Sequence, residues 1–306
     1  MRILMWNVRG IGQAARRRQI REYISQENID FVGLQETIRA DFSDTPLQEL
    51  SGNVNFTWKW LPAVGKSGGI LVGVKVDSYE VEDWNIREFS IQATIRNRLT
   101  NFRGEFVTVY GPAQHEHSPF FLQELHEICS TAILPIILGG DFNLIRDSSE
   151  KNTENGSQPL MNSFNDFIGN HQLREVHRSG PKFTWSNKQL NPVLVTLDRF
   201  LISTTWEDKF PLCMAWSRPY VGSDHSPIFL DTGENAQSKP RYFYFENKWL
   251  LDEEIRKLIA QQWELSAAKR PENCYSLDAW HGAISSIRQY LKGWGAKKAG
   301  EQKKIK

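Results

Sequence analysis

Short apolar runs, each closed by a polar residue or glycine, recur along the first 230 residues. Leu134-Pro135-Ile136-Ile137-Leu138 runs into Gly139-Gly140 and then Asp141-Phe142-Asn143. Arg2-Ile3-Leu4-Met5-Trp6 runs into Asn7-Val8-Arg9-Gly10, and Asp30-Phe31-Val32-Gly33-Leu34 ends on Gln35-Glu36-Thr37. Such short apolar runs predict fully buried strands, with glycine marking where the chain turns away. Trp58 to Val76, Ile91 to Ile95, Phe106 to Tyr110, Lys182 to Ser186, Val193 to Ser203 and Ile228 to Leu230 continue the series. Between them the apolar period lengthens to that of helices. Ala14 to Asn28 places Ile20, Tyr23 and Ile24 on one face and most of Arg16, Arg17, Arg18 and Arg21 on the other. The arginines read as a solvated face, with contact to a phosphate backbone as the alternative. Ser118-Pro119 predicts a helix start, serine as N-cap and proline at the first helical position, ahead of Phe121, Leu122, Leu125, Ile128 and Cys129. Another helix is expected near Leu160 to Gly169.

The pattern changes at Thr232 to Pro240, a polar stretch that ends the strand-rich region. Three parts follow: a domain over 1–231, a linker with an aromatic segment over 232–251, and a helical, Lys-rich extension over 252–306. Within the extension, Asp252 to Ala268 and Leu277 to Trp294 read as helices. The last ten residues, with five Lys and one Glu, read as a disordered or nucleic-acid-seeking arm. Bulk charge is nearly balanced, Lys+Arg 37 against Asp+Glu 36, so any surface for nucleic acid must be local. Cys129, Cys213 and Cys274 show no metal-type spacing and suit a reducing compartment. No apolar run reaches the roughly 18 residues of a membrane span, and polar Asn7 and Arg9 interrupt the start too early for a signal peptide. A monomer in the nucleus or cytoplasm, without membrane contact, is expected.

Polar residues collect at the strand ends: Asn7, Glu36, Tyr110, Asp141 with Asn143, Asp198, and Asp224 with His225. They make one site only if the sheets bring those ends together, which is where layered folds meet their ligands. On extended backbone, Asp141 and Asn143 would point to one side, although an Asx-type turn explains the same pair without function. A lone Glu among amides suits Mg²⁺, which binds through one or two carboxylates and keeps several waters. Asp141 can take a proton from an attacking water. His225, beside a buried carboxylate such as Asp198, would be held as imidazolium. Plainer readings stand beside these: Asp198 in an ion pair with Arg199, His115 and His117 as solvated histidines, and Trp58, Trp60 and Trp84 as packing groups.

Six segments in order, Trp6-Asn7-Val8-Arg9-Gly10, Leu34-Gln35-Glu36-Thr37, Val109-Tyr110-Gly111-Pro112, Gly140-Asp141-Phe142-Asn143, Leu197-Asp198-Arg199-Phe200-Leu201 and Ser223-Asp224-His225-Ser226-Pro227-Ile228, resemble motifs of the endonuclease/exonuclease/phosphatase superfamily. Within it the chain looks most like the apurinic-endonuclease-type domain of plant LINE (non-LTR) retrotransposons. The resemblance implies an α/β (α+β) fold, a four-layered α/β/β/α sandwich of DNase I-like type, here with a helical C-terminal appendage. It also implies phosphodiester hydrolysis with Mg²⁺, or Mn²⁺ as the alternative ion. Carried over position by position, Glu36 would bind the metal, with Asn7 and Asp224 nearby, and Asp141 would activate water. Asn7 and Asn143 would support the scissile phosphate, Tyr110 would contact the phosphate or leaving group, and Asp198 would orient His225 against the phosphate. Thr184 and Trp185 resemble the strand near the DNA minor groove, and Arg9 would face the substrate as well. DNA is the implied partner, with RNA of the same element as a second candidate.

Two departures bear on this. The family's repair enzymes carry an acidic residue where Arg9 stands and Asn where this chain has Ala113, which argues against specialisation for abasic sites. The expectation is a nuclease nicking DNA for retrotransposon integration. The alternatives are a catalytically decayed copy, a phosphatase of the same fold acting on inositol phosphates or lipids, and an abasic-site repair endonuclease.

Overall fold

The computed structural model describes residues 1–65, 67–153, 156–218, 223–233 and 253–268, with isolated positions between 280 and 294. Its strands are β1 (Arg2–Asn7), β2 (Phe31–Gln35), β3 (Phe56–Leu61), β4 (Ile70–Lys75), β5 (Tyr79–Ile86), β6 (Ser90–Asn97), β7 (Arg103–Tyr110) and β8 (Ile136–Asp141). They continue with β9 (Arg174–Glu175), β10 (Arg178–Ser179), β11 (Trp185–Ser186), β12 (Leu194–Val195), β13 (Asp198–Ile202), β14 (Met214–Ser217) and β15 (Ile228–Asp231). The helices are α1 (Ala14–Glu27), α2 (Asp44–Ser51), α3 (Ser118–Thr131), α4 (Gln158–Asn170), α5 (Thr204–Lys209) and α6 (Glu253–Ala268). Seven strands form one sheet in the order β10-β14-β15-β1-β2-β4-β3, and six form another in the order β5-β6-β7-β8-β13-β9.

The apolar runs are continuous because both strand faces are covered, and alternate side chains go to different cores. From β1, Ile3 and Met5 join a central cluster with Phe106, Ile137, Phe200 and Ile228, the filling between the two sheets. Leu4 and Trp6 face the other way, onto Ile20 and Ile24 of α1. On the second sheet, Leu138 and Val107 turn outward onto Phe121 and Leu125 of α3 and Phe164 of α4. This is the four-layered α/β/β/α sandwich. Two of the arginines of α1 are engaged internally: the Arg16 guanidinium lies 5.0 Å over the Trp6 ring, and Arg17 pairs with Glu49 and donates to the carbonyl of Ile11 at 2.9 Å. Arg18 and Arg21 are exposed.

Several local expectations are corrected. Ser118 is not an N-cap. A 3₁₀ turn over His115–His117 leads into α3, so Ser118 is the first helical residue and is buried. The segment over Val193 to Ser203 is interrupted between β12 and β13, and only Trp185–Ser186 of the Lys182 to Ser186 run is strand.

The chain divides into two units, Met1–Ala236 and Gln237–Lys306, and the sheets belong to the first. In the second, α6 accounts for the helix expected from Asp252, and positions such as Trp280, Ala283 and Leu291 are helical. The aromatic segment 242–249, the rest of the linker over 234–251 and the Lys-rich tail 297–306 lie outside the described residues. No described helix is long and apolar enough to cross a membrane.

Candidate active site

The same alternation that builds the central core ends, at one rim of the sandwich, in polar side chains. Along β1 the inward positions are Ile3, Met5 and then Asn7. Along β8 they run from Ile137 through Gly139 to Asp141, along β7 from Phe106 through Thr108 to Tyr110, and along β13 from Ile202 through Phe200 to Asp198. Register then lines up the last of each: Tyr110 pairs with Asp141 across the parallel β7–β8 ladder, and Asp198 pairs with Asp141 across the antiparallel β8–β13 ladder. The phenol and the two carboxylates therefore stand in one row.

Asp141, fully buried, is the centre of that row. Its Oδ2 accepts from Asn7 Nδ2 at 2.9 Å, and its Oδ1 accepts the Asn143 amide N–H at 3.0 Å. The second contact is an Asx-type turn, so the plain reading of Asp141-x-Asn143 and the functional one describe the same geometry. Asn143 is in left-handed rather than extended conformation (φ 50°). Its side chain returns toward Asp141, with Nδ2 3.4 Å from Oδ2, and donates to the Gly111 carbonyl at 2.8 Å. Glycine is needed at 111: a Cβ there would lie 2.1 Å from the Phe142 carbonyl oxygen.

His225 arrives from the loop before β15. Its Nδ1 lies 2.9 Å from Asp198 Oδ2 and its Nε2 3.6 Å from Asp141 Oδ2, with the ring 4 % exposed. Burial alone would favour the neutral ring, but the Asp198 and Asp141 carboxylates outweigh it and raise the imidazole to about 9. Burial lifts the Asp141 carboxyl, His225 opposes it and Asp198 adds to it, leaving the group raised to about 6. At neutral pH the three groups thus hold an imidazolium between two carboxylates. Among the described residues Asp141, Asp198 and His225 also form the group whose ligating atoms lie within 4.8 Å of one another. A protonated imidazole has no lone pair to offer a metal, so this cluster reads as an acid–base array.

Glu36 follows β2 in left-handed conformation (φ 53°) and faces the row from the other sheet. Its Oε2 accepts from the Tyr110 hydroxyl at 3.3 Å, and its Oε1 lies 3.5 Å from Arg9 Nε. Arg9 Nη1 lies 3.3 Å from Asp224 Oδ2, which also accepts from the Trp185 indole at 3.1 Å. Two carboxylates converging on one guanidinium mark a place that holds positive charge, and oxygen donors of this kind fit Mg²⁺. Burial, then Glu36 and Asp141, push the Tyr110 phenol far above its usual range, so it stays a neutral donor.

Thr184 is placed differently from the expectation. It is 2 % exposed, and its hydroxyl accepts the amide N–H groups of Leu197 at 2.9 Å and Asp198 at 3.0 Å. It has no face for a substrate and instead fixes the start of β13. Asp198 does not pair with its neighbour Arg199, whose guanidinium turns away to Glu150 and Glu175. His115 and His117 are exposed on their 3₁₀ turn. Two positioning residues escaped the reading of the sequence. Ser223 donates to the Asn7 carbonyl at 3.0 Å and accepts the His225 amide at 3.2 Å, and the Trp6 indole donates to the His225 carbonyl at 3.1 Å. Both sit inside quoted motifs, where a signal existed. A cavity of about 380 Å³ opens over the row, with Leu144, Leu160, Met161 and Val195 forming an apolar wall that no pattern announced.

A model of the Endonuclease/Exonuclease/phosphatase family matches residues 5–225. Among solved structures, the AP endonuclease LMAP from Leishmania major is 15 % identical with a TM-score of 0.61, covering 75 % of this chain and 86 % of that one. The 3′ phosphatase NExo from Neisseria, bound to product DNA hairpin, is 16 % identical with a TM-score of 0.59, covering 76 % and 98 %. TDP2 from D. rerio, complexed with single strand DNA product, is 17 % identical with a TM-score of 0.53, covering 75 % and 97 %. At these identities the likeness is one of fold. No curated protein sequence matches significantly.

Proposed function

The chain belongs to the Endonuclease/Exonuclease/phosphatase family, and from that premise we propose that it hydrolyses phosphodiester bonds in DNA with Mg²⁺, nicking one strand. The observation that carries this reading is Asp141, buried in register between Tyr110 and Asp198 and flanked by the imidazole of His225. Glu36 would hold the ion, with Asn7 and Asp224 beside it. Bound there, Mg²⁺ would polarise the phosphoryl group and offset its growing charge.

The chain's own groups do the rest. Asp141 takes a proton from the water that attacks phosphorus, the P–O3′ bond breaks, and the departing 3′-oxygen takes a proton from solvent, leaving a 3′-hydroxyl and a 5′-phosphate. Asn7 Nδ2, bonded to Oδ2, holds the carboxylate in place for that transfer. His225 presents Nε2–H toward the non-bridging oxygens while Asp198 keeps Nδ1–H, so the ring remains a cation as negative charge develops. Tyr110 turns its one O–H from Glu36 to the same phosphate, and Asn143 and Arg9 border its path. Trp185 lies along the cleft for the flanking strand. A nick that leaves a 3′-hydroxyl supplies a primer, the role that the resemblance to plant LINE elements suggests.

The test is nicking of supercoiled plasmid by the purified protein. Open circles should form with Mg²⁺, vanish with EDTA, and fall by at least about a hundredfold in Glu36→Ala, Asp141→Ala and His225→Ala. Folded protein that leaves the plasmid intact would defeat the endonuclease reading. Release of phosphate from an inositol phosphate would then favour the phosphatase, and its absence the decayed copy.

A further inference from the structure

Arg9 enters the cleft from the turn after β1, in left-handed conformation (φ 47°), its amide N–H donating to Asn7 Oδ1 at 3.2 Å. Its guanidinium reaches Glu36 Oε1 at 3.5 Å and Asp224 Oδ2 at 3.3 Å. Each carboxylate also has a neutral donor, the Tyr110 phenol on Glu36 and the Trp185 indole on Asp224. Neutral donors satisfy lone pairs without cancelling charge, so the guanidinium supplies the positive charge between these two groups. The Arg9 side chain is 52 % exposed, whereas that of the structural Arg199 is 1 % exposed. Arg9 can therefore swing into solvent with little loss of packing. A divalent ion drawn to Glu36 meets the guanidinium on the same carboxylate, and two cations sharing one anion repel each other.

Resting on the Mg²⁺-dependent reading above, we infer that Arg9 is a tethered competitor ion, one that sets how strongly Glu36 and Asp224 bind a divalent metal. Metal binds to the extent that the guanidinium gives way. Arg9 is thus a positioning residue whose effect is read in metal affinity, separately from turnover.

The test is a titration of the full chain with Mn²⁺, following the free-ion signal by electron paramagnetic resonance. Arg9→Gln removes two partly exposed ion pairs and should tighten Mn²⁺ binding roughly three- to tenfold. Arg9→Lys keeps a compact charge that cannot span both carboxylates, so its gain should be smaller than that of Arg9→Gln. It also serves as the second probe should the Gln variant fold poorly. Unchanged or weaker binding in Arg9→Gln, or in Arg9→Lys where that stands in for it, overturns the competitor role. Glu36→Gln identifies the site itself. If Mn²⁺ binds undiminished without the Glu36 carboxylate, the metal assignment falls and the competitor role falls with it. If binding is lost there but Arg9→Gln brings no tightening, the competitor role alone falls.

Discussion

At the scale of single residues, the site depends on charge held inside the protein. Asp198→Asn keeps the shape of the hydrogen bond to His225 Nδ1 but removes the negative charge that makes the ring a cation. The expected outcome is a loss of roughly a hundred- to ten-thousandfold in plasmid nicking, with an unchanged circular dichroism spectrum. Backbone geometry is equally exacting at Gly140, where φ is 134° and a Cβ would lie 2.3 Å from the Val109 carbonyl oxygen. Gly140→Ala should destabilise the fold by about 2–4 kcal/mol, seen as a lower urea midpoint at unchanged slope. These residues were legible because strand-end polar groups stand out against apolar runs. Thr184 came from the resemblance instead, and its place beside Trp185 said nothing about which of the two faces inward. The pairing of Arg9 with Glu36 and Asp224 joins positions far apart in the chain, a contact that one-dimensional spacing does not carry.

At the scale of elements, loops and strands are tied by a few buried polar joints. Arg199 of β13 reaches Glu150 of the loop after β8 and Glu175 of β9, and donates to the Leu144 carbonyl at 3.1 Å. Arg199→Met leaves Glu150 without a guanidinium partner, while Glu175 keeps only Arg146. A loss of roughly 3 kcal/mol in chemical denaturation is expected, because breaking a buried pair from one side is costly. Helix α3 and the residue that caps α4 meet through His126 Nδ1 and His171 Nε2, 2.7 Å apart. Burial, with the adjacent His126, holds His171 below its usual 6.5 in the folded protein. The unfolded chain then binds more protons than the folded one as pH falls. That contribution is complete above pH 6.5 and lost below it, so the melting temperature should drop more steeply on acidification in the wild type than in His171→Gln. Strand and helix existence could be read from periodicity. The start of α3 could not, since the 3₁₀ turn that pre-empts the serine cap depends on how the chain leaves β7.

At the scale of the whole molecule the net charge is near neutral, so any positive surface is local, and on α1 the exposed Arg18 and Arg21 are its charged positions. The sandwich was readable from six ordered motifs, but its sheet order was not, because which strand neighbours which is decided by long-range packing. That order places β1 between β2 and β15, so the first strand of the domain is hydrogen-bonded on one side to its last. A growing polypeptide emerging from the ribosome meets this as a delay. Asn7, Glu36 and Asp141 are all synthesised while His225 and the strand that carries it are still to come, and contacts between such distant segments form late. The centre therefore cannot be assembled piecemeal. A nascent chain lacks the complete centre until the final strand closes the sheet.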